Sequence, residues 1–235
     1  MTARAPLNRI AARSGLRGLY LVGSIVGLFV VASLVSVLPI HVPIEPDVLL
    51  RPVVMIIGCG IGGALWGRAL GRIARYSPRR LMWAGAVSFG PATGLAIFAL
   101  TALEGVLVER HGSDLPVHVL FGMLFVGATF FVAAAVGFVC GLAVGNWRFA
   151  LLLALGGGIG AGGAFLVADV VQDLLGRRVG GPGAGETLTM LSVMAIGDLA
   201  AAIAGSAVIG VLLSQHRAVM SNDVTGETLL YSSQR

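Results

Sequence analysis

The sequence predicts an all-α integral membrane protein, a bundle of six transmembrane helices with both termini in the cytoplasm. Three observations predict it. Hydrophobic residues fill 57% of the 235 positions and charged residues only 11%, where soluble domains carry about 25% charged. Glycine supplies 35 residues, about twice the usual share. The apolar residues also form long unbroken runs instead of alternating, which selects spanning helices over barrel strands. A water-exposed globule is excluded because a chain of this size cannot hide so much apolar surface. Disorder is excluded because it needs low hydrophobicity and high charge.

Residues 1–18 read as an arginine-rich cytoplasmic tail. Six apolar stretches follow within a transmembrane domain at 19–213. They run from Leu19 to Leu38, Val48 to Leu70, Leu81 to Leu103, Val117 to Gly145, Phe149 to Ala168 and Leu188 to Leu213. Each meets the roughly 20 residues that a helix needs to cross the hydrocarbon core. The first exceeds a signal-peptide core and is followed by no small-x-small cleavage site, so it reads as an uncleaved anchor. Arg51 and Arg68 near the ends of the second must snorkel to headgroups. Asp114 and Pro116 make a start signal for the fourth, which is long enough to tilt. Residues 214–235 are expected to be a short, polar, disordered cytoplasmic tail.

Arginine sets the orientation. One side of this arrangement holds Arg4, Arg9, Arg13, Arg17, Arg68, Arg72, Arg75, Arg79, Arg80, Arg148, Arg217 and Arg235, and the other only Arg51, Arg110, Arg177 and Arg178. The positive-inside rule places the richer side in the cytoplasm. Tyr20, Trp66, Tyr76, Trp83 and Trp147 fall near the same boundary and read as an aromatic belt. Every basic residue is Arg, a usage that fits a GC-rich prokaryotic genome. The expected location is therefore the cell membrane of a prokaryote, in multi-pass form.

The absence of lysine removes a Walker-type phosphate loop and any Schiff-base chemistry. Cys59 and Cys140 lie in apolar runs and read as small packing residues. Gly58 to Gly63 and Gly158 to Gly163 match the dinucleotide pattern Gly-x-Gly-x-x-Gly. They lack the preceding strand and the later acidic residue, so no cofactor is expected. His41, His111, His118 and His216 have no metal-ligand spacing, and no metal site is expected. Nothing resembles a nucleic-acid module, so the pI near 10.2 reflects juxtamembrane arginine.

Small residues at four-residue spacing mark faces where helix backbones approach closely. Gly63, Gly67 and Gly71 form one such ladder, and Gly137, Gly141 and Gly145 another. Spans 2 and 4 are expected to meet through them. Arg9, Arg13 and Arg17 recur every four residues. Arg68, Arg72, Arg75 and Arg79 are expected to share one helical face. Both sets suit anionic lipid or an acidic partner, although topology alone also requires cations there. Expected partners are the bilayer and either a second membrane protein or a copy of this chain. Asp169 and Asp173, one turn apart with Arg177 following, read as a local ion-paired helix end.

Asp198 lies deep inside the sixth run. A carboxylate at mid-bilayer costs about 2.5–3.5 kcal/mol and usually faces the bundle interior. Splitting the spans three and three makes spans 2 and 5 the glycine-rich middle members of two inverted halves, a transporter pattern. Asp198, Ser88, Pro91, Thr93, Gly60 and Gly160 are then expected to line one midplane site for a substrate or ion. Three readings follow: a small transporter or transporter membrane subunit with that site, a non-catalytic accessory or assembly subunit held by small-residue faces, or an intramembrane enzyme. No catalytic constellation is legible.

Overall fold

The computed structural model describes residues 7–27, 47–111, 117–179 and 186–232. Side chains are described for 7–27, 56–100, 102–103, 122–171, 174 and 195–220. Among the described residues every regular element is a helix and none is a strand. The helices are α1 (Leu7–Arg17), α2 (from 19, described to 27), α3 (Asp47–Ala74), α4 (Pro78–His111), α5 (Val117–Val144), α6 (Trp147–Val179) and α7 (Glu186–Ser232). Among the described residues, four windows are long and apolar enough to cross a membrane: Pro78–Leu100, Gly122–Val144, Trp147–Val171 and Ala195–Met220. The first expected span lies partly outside the described residues, and the second lies within α3, whose side chains are described from 56 onward.

Two helical hairpins dominate. The α3–α4 hairpin turns through Arg75, which adopts φ 58°, and the Tyr76 amide donates to the Gly71 carbonyl at 2.9 Å. The α5–α6 hairpin turns through Gly145 at φ 94°, whose amide donates to the Leu142 carbonyl at 2.9 Å. Both closures satisfy carbonyls that a helix end leaves open. Ser77 then caps α4, its Oγ accepting from the Arg80 amide at 3.5 Å, with Pro78 in the first helical position. Asn146 caps α6, its Oδ1 accepting from the Arg148 and Phe149 amides at 3.0 and 3.2 Å.

The glycine ladders lie inside these hairpins. A Cβ at Gly63 would overlap the Gly85 carbonyl oxygen, and one at Gly67 the Leu81 carbonyl oxygen. One at Gly71 would sit 2.7 Å from Pro78 Cα. In the second hairpin a Cβ at Gly137 would strike the Leu153 carbonyl and one at Gly141 the Ala150 backbone. Gly145 meets nothing; its glycine serves the positive φ instead. The partners therefore differ from the expected pairing of spans 2 and 4. Each ladder faces the next helix in the chain, because a short turn brings sequence neighbours together first.

Neighbouring helices pack in the order α3–α4–α5–α6–α7, and α7 returns to α1 and α3. Trp66, Leu70, Leu81, Leu153, Leu213, Cys59 and Cys140 fill the main core. Ala161, Phe165 and Ala201 form a second cluster, where Phe165 stacks on Phe125 with centroids 6.4 Å apart.

Three sequence expectations change. The N-tail contains α1, which lies antiparallel to α7: a Cβ at Gly18 would overlap the Ala202 carbonyl, and one at Gly210 the Ser14 hydroxyl. Leu7, Ile10, Ala11, Ser14, Gly15 and Gly18 follow helical spacing, and the last three are buried. The C-tail is helical through Ser232 rather than disordered from Ser214; His216 stacks on Phe149 at 4.0 Å and holds its first turn. Trp66 is 1% exposed and does not join a belt, whereas Trp83 and Trp147 are 61% and 62% exposed. Its indole Nε1 donates to Ser206 Oγ at 2.9 Å, satisfying a donor that would be costly to bury unpaired.

Candidate functional site

The six residues expected at the midplane are distributed over different surfaces. Ser88 is buried, but its hydroxyl donates back to the Ala84 carbonyl at 2.6 Å, a local bond within α4. Thr93 is buried beside the Cys59 thiol, and its Oγ1 has no hydrogen-bond partner of good geometry among the described residues. Pro91 lies within α4 and is exposed. Gly60 sits at the α3–α4 interface, where a Cβ would stand 3.4 Å from the Ala86 carbonyl oxygen. Gly160 belongs to the α6–α7 interface, 3.0 Å from Val208 by the same measure. Asp198 is half-buried and has no hydrogen-bond or ion-pair partner among the described residues. Four residues separate it from Ala202, so it shares the face that α7 presents to Gly18.

Two cavities instead lie at the arginine end, on either side of the α3–α4 hairpin. One, of about 440 Å³, is lined by Arg68, Arg72, Pro78, Arg79 and Met82. The other, of about 300 Å³, is lined by Arg75, Tyr76, Ser77, Arg80 and Leu81 around the turn, by Ala143 and Val144 of α5, and by Arg217 and Met220 of α7. Neither includes any of the six midplane residues. The four arginines expected on one face are divided between them. α3 ends at Ala74, Arg75 leaves the helical conformation, and Arg79 belongs to α4.

The second cavity holds the longer-range side-chain contacts. Tyr76 OH and His216 Nδ1 are hydrogen-bonded at 2.8 Å. The Arg217 guanidinium lies over the Tyr76 ring, 5.6 Å from its centroid, a cation–π arrangement. Burial pushes the Tyr76 phenol above its usual range, and Arg217 pulls it partly back, so the phenol keeps its proton near neutrality. Among the described residues, no carboxylate lines this cavity and none pairs with Arg75, Arg80 or Arg217. Asp223 and Glu227, farther along α7, lie outside the described side chains. Arg75, Arg80 and Arg217, all exposed, thus line one concavity together with the apolar Leu81, Ala143, Val144 and Met220.

The exposed faces add smaller features. Arg9, Arg13 and Arg17 occupy the outer face of α1, and Arg17 donates to the Tyr20 hydroxyl. Asp169 approaches Gly122, its Oδ2 lying 2.9 Å from where a Cβ would be; the side chains of Asp173, Arg177, His41, His111 and His118 lie outside the described residues. No group of His, Cys, Asp or Glu able to hold a metal is found among the described residues. Cys59 and Cys140 are buried free thiols.

No protein-family model, curated protein or solved structure matches this chain. What the arrangement can do must therefore be argued from its own chemistry. Sequence reasoning found the arginines and missed their cavity. Tyr76 and His216 are 140 positions apart, and no local spacing signals that contact.

Proposed function

We propose that this protein is a six-span, multi-pass protein of the prokaryotic cell membrane, with both termini cytoplasmic, acting as a non-catalytic accessory or assembly subunit. The observation that carries this reading is the direct contact of neighbouring helix backbones. Backbones touch at Gly63–Gly85, Gly67–Leu81 and Gly137–Leu153, and among the described residues the two cavities named above lie at the arginine end. A transporter needs a hydrated site near mid-depth; a packing subunit needs rigid helices and an exposed apolar perimeter. Phe98, Met123, Leu152 and Ile159 are large, apolar and exposed, and they supply surface for lipid or a partner helix.

The second reading is transport, favoured by Asp198 alone. A half-buried carboxylate without a partner among the described residues is the mark of an ion or proton site. One experiment separates the readings. The tagged chain is purified in mild detergent, its co-purifying proteins are identified, and uptake of candidate solutes after a pH jump is measured in proteoliposomes. The subunit reading expects a stoichiometric membrane partner and no uptake. Clear uptake by the wild type that Asp198→Asn abolishes, with folding retained, would overturn it. Reporter fusions to the C-terminus and to the Gly180 to Glu186 segment test sidedness; a periplasm-active reporter on the C-terminus would reverse the orientation.

A further inference from the structure

We propose that the cavity walled by Arg75, Arg80 and Arg217 is a binding site for a phosphate group, carried by a lipid headgroup or by a free phosphate ester. This goes beyond the subunit reading and does not depend on it. The site is assembled from three parts of the chain that only tertiary packing brings together: the α3–α4 turn, the end of α5 and the far end of α7. Three cations share its wall, and no carboxylate among the described residues neutralises them. Each guanidinium presents a planar fork of donors that suits a tetrahedral oxyanion, and several acting together fix the orientation of a phosphate. Tyr76 holds the wall in place by joining His216 through its hydroxyl and Arg217 through its ring.

The backbone supplies an independent reason. Arg75 occupies the left-handed region at φ 58°, where glycine or asparagine is usual at a helix end. The equivalent position of the other hairpin is Gly145. A long cation in a conformation that disfavours side chains is expected where the strain serves a site. The apolar floor of Leu81, Ala143, Val144 and Met220 accepts the less polar part of an esterified phosphate.

The test uses the full-length protein. Thermal melts are recorded in detergent with inorganic phosphate against chloride at matched ionic strength. Parallel melts use phosphatidylcholine nanodiscs with and without phosphatidylglycerol. At least one probe is expected to raise the melting temperature of the wild type. Arg80→Gln and Arg217→Gln should each raise the half-saturating concentration of that probe about tenfold or more, and Arg148→Gln, outside the cavity, should leave it within twofold. Arg75→Gly, which relieves the left-handed strain and must fold, should also weaken binding. A shift with phosphatidylglycerol only assigns the site to a lipid headgroup; a shift with inorganic phosphate assigns it to a soluble ester. The proposal is overturned if neither probe shifts the wild type, if Arg148→Gln weakens binding as much as Arg217→Gln, or if Arg75→Gly binds as well as the wild type.

Discussion

The α3–α4 and α5–α6 hairpins solve the same problem with different turns. Both place glycines every four residues along the incoming helix, and both leave it through a left-handed residue. The second turn is minimal: Gly145 reverses the chain and Asn146 immediately caps α6. The first turn inserts one more residue, Tyr76, between Arg75 and the capping Ser77. That residue reaches α7 and closes the cavity. Its left-handed position is filled by Arg instead of Gly, at a cost of about 1–2 kcal/mol. One turn places glycine where the backbone is left-handed, and the other places a long cation there, beside a concave surface. The ladders sit on the incoming helix of each hairpin, and the first turn and the end of α5 border the same cavity.

The largest effects should come from breaking what the hairpins share. Gly67→Leu and Gly141→Leu force side chains into the facing backbone, and overpacking costs about 1–3 kcal/mol, with rigid backbone at the upper end or beyond. Each should lower the detergent melting temperature far below the wild type or prevent folding. Gly23→Leu and Gly163→Leu meet open space and should melt near the wild type. Equal losses in all four would mean that the four-residue spacing merely reflects glycine content.

The turns should respond with opposite signs. Gly145→Ala forces a side chain into a left-handed position and should destabilise by about 1 kcal/mol. Arg75→Gly removes such strain and should stabilise by a similar amount, less the glycine entropy cost. Chemical denaturation in a fixed detergent compares them. A destabilised Arg75→Gly would show that the arginine side chain supports the fold more than the strain opposes it, and would erase the contrast between the hairpins.

The caps give the smallest and most graded test. Asn146 accepts two amide hydrogen bonds at 3.0 and 3.2 Å, while Ser77 accepts one at 3.5 Å. Asn146→Ala should cost about 1 kcal/mol, and Ser77→Ala should cost less, at the low end of the capping range. If Ser77→Ala proves the costlier change, the first turn depends on its cap as much as the second does.

Apolar run length and composition alone determine that the chain is helical and suited to a membrane, because a helix that satisfies its own backbone is demanded wherever water is absent. Glycine spacing identifies which faces pack tightly, since a helix repeats its face every three to four residues. The α1 face of Ser14, Gly15 and Gly18 is legible by the same rule, although arginine content draws the eye to its opposite face. Which ladder meets which helix is not legible. Gly67 fits against any small backbone, and only the short Arg75–Ser77 turn chooses Leu81 of α4. The arginine cavity is less legible still. Arg75, Arg80 and Arg217 are individually visible as topology-setting charges, but their convergence needs α7 to continue past the apolar run and His216 to dock on Phe149 and Tyr76. Local sequence determines helices through interactions a few residues apart. A site joined across 140 positions is decided by how those helices pack.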